Sequence, residues 1–301
     1  MTQESQAVNH YLNPTEQREN QTMTHPGELL RQEKLYAGKE MGQNFLSHPA
    51  TARMIVERTG VSKTATVLEV GPGLGALTIP LARQVKQVIA VEKDSRLIPL
   101  LESELDKEKI TNVTLIKADI LKTDLAALAK GEKLVVMGNL PYNISSQILF
   151  QLIKKRQVVD RAFLMFQKEL AVRIMASPGG RDYSRLSAVV QYAAHVSMMA
   201  QISPASFFPR PAVDSTVLRF DFFLSPDTSK AQEELLFAVI KAAFSKRRKT
   251  LRNAMTKGEL GLDRPVVSAA LERAGILPER RAETLSVDEF KALARAIRDL
   301  R

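Results

Sequence analysis

Hydrophobic and polar positions follow two different periods along residues 49–224, and together they predict an α/β domain. Short apolar runs that are typical of buried strands lie at 66–70, 87–92, 112–119, 133–139, 161–167 and 215–224. Apolar residues at the spacing of one helix face lie at 49–59, 76–84, 95–106, 145–155 and 168–176. Strands that alternate with helices predict a mainly parallel, doubly wound sheet, with ligands bound at the carboxyl ends of the strands.

The two ends of the chain differ from this region. Residues 1–30 are polar and show no sustained period, so we expect a disordered N-terminal extension. Residues 231–301 contain only helical patterns, and the polar stretch 225–229 predicts a linker before them. The sequence therefore predicts three parts, which are the extension at 1–30, an α/β domain at 31–224 and a small all-α domain at 225–301.

The composition indicates a globular protein with a polyanionic partner. Of the 301 residues, 45% are hydrophobic and 25% charged, and no apolar run reaches the roughly 18 residues of a transmembrane helix. The chain has no cysteine, which excludes a disulfide framework, a cysteine nucleophile and a thiolate metal site. The 43 lysines and arginines outnumber the 33 acids, and the resulting net charge of +10 favours nucleic acid as the partner.

A glycine-rich loop after the first predicted strand indicates an adenosine-containing ligand. The motif EVGPGLG (69–75) joins this strand to a helix, and its glycines allow the backbone to approach a ligand closely. Glu92 ends the next strand, where a carboxylate can accept hydrogen bonds from both ribose hydroxyls. Asp119 ends the third strand and can reach an adenine amino group. Because the loop holds no lysine or arginine, S-adenosylmethionine fits the pattern better than NAD or ATP.

The sequence Asn139-Leu140-Pro141-Tyr142 ends the fourth strand and indicates methyl transfer to an exocyclic amine. It is similar to the [N/D/S]-P-P-[Y/F] signature of methyltransferases that act on such amines. The side-chain oxygen of Asn139 and a nearby backbone carbonyl can accept the two N–H bonds of an adenine amine, which raises the electron density on its nitrogen. Tyr142 can stack on the base. The alternative interpretation is a turn with a buried tyrosine.

A broader resemblance rests on five motifs. These are GQNFL (42–46), EVGPGLG (69–75), NLPYNIS (139–145), FFPRPAVDS (207–215) and FSKRRKTLRN (244–253). In this combination the chain resembles the small-subunit (16S) ribosomal RNA adenine dimethyltransferases, the KsgA (RsmA) family. The resemblance implies a Rossmann-like class I methyltransferase domain with a small all-α C-terminal domain. It also implies methyl transfer from S-adenosylmethionine to two adjacent adenosines in the 3′-terminal hairpin loop of 16S rRNA during small-subunit biogenesis.

The same resemblance implies the site residues. The cofactor contacts fall on Asn44, Leu46, Gly71, Glu92, Asp119 and Asn139. The catalytic positions are Asn139 and Leu140 at the target amine, Tyr142 as the stacking ring, and Phe207 as a second aromatic wall, with Phe208 as the neighbouring candidate. We expect no acid–base residue and no metal ion. The attacking amine becomes cationic and loses its proton to water afterwards, so catalysis depends on orientation and on a preorganised environment.

A basic run in the C-terminal part predicts the RNA-binding surface. Residues 241–257 contain seven lysines and arginines, no acid, and an apolar stripe at helical spacing, so we expect one amphipathic helix. The candidate phosphate contacts are Lys246, Arg247, Arg248, Lys249 and Arg252. The alternative is a solvated helix face. The expected partner is 16S rRNA within the small ribosomal subunit or its precursor, bound by a cytoplasmic monomer without a membrane.

Three other functions stay open at the level of sequence. The chain could be a non-catalytic RNA-binding or assembly factor on the same fold, a methyltransferase of large-subunit rRNA, or a DNA adenine methyltransferase. The intact NLPY motif and Glu92 favour an enzyme, and FSKRRKTLRN with the C-terminal length favours the small subunit. NLPY in place of DPPY argues against DNA as the substrate.

Overall fold

The computed structural model describes residues 24–38, 42–224, 229–246 and 248–300. Its strands are β1 (Phe45–Leu46), β2 (Thr66–Val70), β3 (Gln87–Glu92), β4 (Val113–Lys117), β5 (Leu134–Asn139), β6 (Val159–Gln167), β7 (Ala194–Ile202), β8 (Phe207–Phe208) and β9 (Ser215–Phe222). Its helices are α1 (Pro26–Gln32), α2 (Pro49–Arg58), α3 (Thr78–Ala82), α4 (Ile98–Lys107), α5 (Leu125–Ala129), α6 (Ser145–Lys154), α7 (Lys168–Met175), α8 (Arg185–Ala193), α9 (Lys230–Ala243), α10 (Leu251–Met255), α11 (Arg264–Arg273) and α12 (Val287–Asp299).

The central sheet has the strand order β4-β3-β2-β5-β6-β9-β7 within the described residues. The strands β4, β3, β2, β5 and β6 are parallel, and β9 lies antiparallel between β6 and β7. The chain starts at β2 in the middle, winds outward through β3 and β4, and then returns to β5. Helices cover both faces, as the predicted doubly wound sheet requires.

The predicted strands form with bounds that differ by at most two residues from the expected ones. The sequence did not predict β7 and α8, because α8 passes directly into β7 between Ala193 and Ala194 with no glycine or proline at the junction. The small ribbon of β1 and β8 was also missed, because two-residue strands have no period. It pairs Phe45 with Phe208 and Leu46 with Phe207.

The prediction of a disordered extension over residues 1–30 is wrong for its last residues, and residues 1–23 lie outside the described residues. Helix α1 begins with Pro26 in its first turn, where the His25 ring nitrogen accepts a hydrogen bond from the Gly27 N–H at 3.1 Å. Leu29 and Leu30 are buried against Phe45 and neighbouring side chains. Seven residues are too few for a helical period to be visible in the sequence.

The C-terminal helices share one hydrophobic cluster with the sheet and with α6 and α8. The buried Arg156 donates to the carbonyl oxygens of Ile153 (2.8 Å) and Phe223 (3.1 Å) and forms an ion pair with Glu233 of α9. The boundary at 225 stays a prediction, and residues 225–228 of the expected linker lie outside the described residues.

The single basic helix expected over 241–257 is wrong. Helix α9 ends at Ala243, a turn follows, and α10 covers only five residues. The Leu251 N–H donates to the carbonyl oxygen of Arg280 at 2.8 Å instead of continuing a helix. Phe244 lies just after α9 and packs against the rings of Tyr183 and Phe290. Its apolar position in the sequence therefore reflects burial in the core and not one face of a continuous helix. None of the described helices is long and apolar enough to cross a membrane.

Alanine variants of two glycines can show how tightly the glycine-rich loop is packed. Gly75 and Gly131 have φ angles of +87° and +88°, but an added Cβ lies 2.7 Å from Leu101 Cδ1 only at Gly75. We expect Gly131→Ala to cost about 1–2 kcal/mol of backbone strain. Gly75→Ala should cost about 1–3 kcal/mol more, because Leu101 is buried and has little room to move. Urea unfolding measures the stability of both variants. Equal losses in the free energy of unfolding would contradict the tight packing at Gly75.

Candidate active site

One cleft opens at the carboxyl ends of the parallel strands. It holds about 1280 Å³ of empty space, including open solvent. The cleft brings together eight of the predicted site residues: Asn44, Leu46, Gly71, Glu92, Asp119, Asn139, Leu140 and Tyr142. Six of them lie at the ends of adjacent parallel strands or in the loops that follow, while Asn44 and Leu46 come from the GQNFL segment beside the sheet.

The glycine-rich loop leaves backbone exposed to the cleft. Gly71 has a φ of +67°, and a Cβ added there would meet no heavy atom within 4 Å, so this position faces open space. At Gly73 an added Cβ would lie 3.1 Å from the ring of Phe45. The loop can therefore admit a ligand against the Gly71 backbone, while Gly73 is packed against the GQNFL segment.

The Glu92 carboxylate is buried and oriented by the backbone. Its Oε2 accepts the Gly73 N–H at 3.1 Å, and its Oε1 accepts the Asp94 N–H at 2.8 Å. Burial raises the pKa of Glu92, and the two backbone hydrogen bonds oppose that rise. Each oxygen keeps a further lone pair for a hydroxyl donor, so the geometry suits the two hydroxyls of a ribose.

Asp119 lies at the adjoining strand end and has a cationic partner that the sequence interpretation missed. Lys93 Nζ lies 3.0 Å from Asp119 Oδ2, and the Leu121 N–H donates to Oδ1 at 3.0 Å. The hydrogen bond from Lys93 is the largest cause that lowers the pKa of Asp119. The carboxylate therefore stays ionised and can accept a further N–H donor.

Asn139 is held by the segment opposite to it. Its Nδ2 donates to the carbonyl oxygen of Asn44 at 2.8 Å, which leaves Oδ1 available as an acceptor. Beside it, the Tyr142 hydroxyl lies 3.1 Å from Ser215 Oγ, and burial raises the pKa of Tyr142. Asn139 thus presents an acceptor, and Tyr142 presents a neutral ring to the cleft.

A charged pair fixes the GQNFL segment. Gln43 Nε2 donates to Asp94 Oδ2 at 3.0 Å, and the Arg96 guanidinium donates to both oxygens of Asp94. The hydrogen bond from Arg96 is the largest cause that lowers the pKa of Asp94 to about 2. A permanently charged Asp94 therefore anchors Gln43, the residue next to Asn44. No motif of the sequence indicates this anchor.

Phe207 is not placed as the resemblance implied. Its ring is 4% exposed, packs with Leu46 in the core and is absent from the lining of the cleft. Successive side chains of a strand point to opposite sides, so Phe208 points outward and is 36% exposed. The role of a second aromatic wall is therefore not supported for Phe207 in this structure.

Two further parts of the cleft were missed. Glu69, the first residue of the glycine motif, is 1% exposed, and its Oε2 has no hydrogen-bond partner. Burial raises its pKa to about 8. An acid inside the apolar run TVLEV was the sequence signal for it. Thr24 and Pro26 also line the cleft, although they belong to the expected extension.

The basic residues 241–257 lie outside the cleft lining and differ among themselves. Lys246, Arg248 and Lys249 are exposed, and no carboxylate of the described residues pairs with them. Arg252 lies 4.0 Å from Glu279, and Lys241 lies 2.7 Å from Glu259, so acids outside the run partly neutralise it. Arg247 lies outside the described residues. Within the described ranges, no three histidine, aspartate or glutamate side chains form a group that could hold a metal ion.

Comparisons with known proteins identify relatives of this chain. Residues 36–299 match the family model described as ribosomal RNA adenine dimethylase. A relative from Desulforapulum autotrophicum named ribosomal RNA small subunit methyltransferase A is 57% identical over 275 residues, which are 91% of this chain and 97% of the relative. A protein of the same name from Clostridium botulinum is 38% identical over 91% of this chain and 98% of its own.

Solved structures confirm the predicted fold class, a Rossmann-like class I methyltransferase fold. A dimethyladenosine transferase from Plasmodium falciparum matches with a TM-score of 0.70 and 27% identity, over 83% of this chain and 95% of that chain. The 23S rRNA methyltransferase ErmE matches with a TM-score of 0.62 and 24% identity, over 84% of this chain and 99% of that chain. At that identity the second match supports the fold alone.

The buried Glu69 should make stability depend on pH. An acid whose pKa in the folded protein is about 8 and whose ordinary value is 4.5 takes up a proton on folding between these values. The free energy of unfolding should therefore fall as pH rises from 5 to 8, by up to about 1.4 kcal/mol per pH unit. Glu69→Gln should remove this pH dependence of the free energy of unfolding, and Glu102→Gln, at an exposed position, serves as the control. The prediction would be contradicted if urea unfolding gave the same pH dependence of the free energy of unfolding for the wild type and for Glu69→Gln.

Proposed function

The chain belongs to the ribosomal RNA adenine dimethylase family, and on that premise we propose that its substrate is a pair of adjacent adenosines in the 3′-terminal hairpin loop of 16S rRNA. It is an S-adenosylmethionine-dependent rRNA adenine methyltransferase. The relatives at 57% and 38% identity are small-subunit enzymes by name, and they support the small subunit over the large one. S-Adenosylmethionine supplies an electrophilic methyl group on a sulfonium sulfur.

The cleft fits this cofactor in the chemistry of its donors and acceptors. Glu92 accepts the ribose hydroxyls, and Asp119 accepts an N–H of the adenine amino group. The open backbone at Gly71 lets the ligand approach, and Asn44 and Leu46 close the opposite side. No cationic side chain lies in the glycine loop, which agrees with a ligand that has no phosphate.

The observation that carries the proposed chemistry is the hydrogen bond from Asn139 Nδ2 to the Asn44 carbonyl oxygen. It fixes the amide so that Oδ1 can accept one N–H of the target adenine, and a backbone carbonyl next to Leu140 accepts the other. These bonds aim the nitrogen lone pair and stabilise the positive charge that develops on the amine. Tyr142 stacks on the base, and the proton leaves to water after transfer. The monomethylated nitrogen is still a nucleophile, so a second transfer needs only space.

The base has to leave its stack to enter the cleft, and an RNA hairpin loop makes this inexpensive because its bases are already unpaired. We assign phosphate contacts to five residues of the basic run, which are Lys246, Arg247, Arg248, Lys249 and Arg252. The helical part from residue 225 then acts as the RNA-binding domain. We place the protein in the cytoplasm as a monomer, where its ribosomal substrate is assembled.

Incubation with labelled S-adenosylmethionine and small subunits that lack the modification tests the activity. Labelled dimethyladenosine at two adjacent positions near the 3′ end of 16S rRNA is the expected product. Absence of transfer, with the RNA still bound, would favour the non-catalytic assembly factor.

Asn139→Ala should slow methyl transfer in a single turnover by about 10²–10³, because one preorganised polar contact is lost. The measurement uses saturating S-adenosylmethionine and RNA. RNA affinity should stay within about twofold. Gln201→Ala is the control, because it removes an exposed amide on β7 that does not line the cleft, and it should keep a near wild-type rate. A near wild-type rate for Asn139→Ala would refute its role.

The phosphate surface predicts a change in salt dependence. The logarithm of RNA affinity falls with the logarithm of salt concentration by about 0.7–0.9 per phosphate contact. Arg248→Glu with Lys249→Glu should weaken binding and flatten this slope by about one to two. The matched control changes Lys63 and Lys86 to Glu, which are exposed at the amino ends of β2 and β3, away from the cleft. Equal slopes for both double variants would show that the turn is only solvated.

A further inference from the structure

We propose that residues 24–30, here called the N-terminal wall, form the outer side of the cofactor cleft, and that Phe208 and Glu104 are positioning residues that hold this wall from outside the cleft. The proposal rests on the proposed use of the cleft for S-adenosylmethionine. It adds residues that no motif of the sequence identified.

The wall contributes directly to the cleft. Thr24 and Pro26 line it together with the GQNFL segment and with Glu92, the residue assigned to the ribose. The wall reaches this place through α1, whose Leu29 and Leu30 pack in a cluster with Phe45. Phe45 lines the cleft as well, so the packing of α1 is continuous with the cofactor site.

The first anchor is the Phe208 ring. It meets the His25 ring edge-on, with centroids 5.4 Å apart and an interplanar angle of 69°. The tip of the same ring lies against Gly27, where an added Cβ would be 2.9–3.2 Å from three ring atoms. Phe208 itself is fixed by the strand pairing with Phe45. It does not line the cleft and can act on the cofactor only through the wall.

The second anchor is Glu104 on α4. Its Oε2 accepts the Thr24 N–H at 3.4 Å, and its Oε1 accepts from Lys107. The side chain is 2% exposed and also lies outside the lining of the cleft. The wall is therefore held on one side by the ribbon of β1 and β8 and on the other by α4.

A helix as short as α1 is not stable by itself, so its position depends on these contacts. Where the wall is displaced, one side of the cleft is lost while Glu92, Asp119 and Asn139 keep their places. The expected result is weaker retention of the cofactor with unchanged chemistry once the cofactor is bound.

The test measures S-adenosylmethionine affinity, dissociation rate and steady-state kinetics for Phe208→Ala and Glu104→Ala in the full chain. Each variant should bind the cofactor about three- to tenfold more weakly and release it correspondingly faster. The KM for S-adenosylmethionine should rise by the same factor, and kcat should stay unchanged at saturation. The controls are Phe223→Ala, another exposed phenylalanine, and Glu102→Ala on the same helix, and both should match wild type.

Amide hydrogen exchange adds a readout independent of the variants. In the wild type, S-adenosylmethionine should slow exchange in residues 28–33, and exchange in α11 should not change. The proposal is overturned if both anchor variants bind the cofactor as tightly as the wild type does. It is also overturned if the cofactor does not change amide exchange in α1 of the wild type. A wild type that binds no S-adenosylmethionine would instead overturn the proposed function.

Discussion

The site depends on a single constraint, which is that neighbouring parallel strands end at the same edge of the sheet. Glu92 and Asn139 are the last residues of β3 and β5, and Asp119 follows β4 by two residues. Between β3 and β5 lies β2, from which the glycine-rich loop emerges. Here the winding of the chain reverses direction, so the loops on either side diverge and leave a cleft. Glu92, Asp119 and Asn139 owe their positions to this topology.

Burial then decides the chemical state of the carboxylates. Glu69 and Glu92 are both removed from water, but Glu92 accepts two backbone N–H groups, while Oε2 of Glu69 has no partner. Asp94 is also little exposed, yet its pKa is lowered, because Arg96 donates to both of its oxygens. Burial thus dominates the pKa shifts of Glu69 and Glu92, whereas the Arg96 partner dominates that of Asp94.

The catalytic cleft and the basic turn are separate in sequence and in space, and one hydrophobic cluster joins the parts that carry them. The Arg156–Glu233 ion pair and the packing of Phe244 against Tyr183 connect the C-terminal helices to the sheet side of the molecule. A continuous core therefore connects the sheet that forms the cleft to the helices next to the proposed phosphate contacts.

The sequence by itself determined six of the seven described strands of the central sheet, the glycine loop and the polar residues at the strand ends. The reason is that the period of apolar residues, the spacing of glycines and the order of these segments along the chain are local properties. It could not determine that neither the Phe207 ring nor the Phe208 ring lines the cleft, since strand pairing with Phe45 and Leu46 decides where these rings point. It also could not foresee that α1 folds onto the cleft, that Lys93 meets Asp119, or that the basic run forms a turn. These features arise from contacts between residues far apart in the chain, which no local pattern records, so only the tertiary structure decided them.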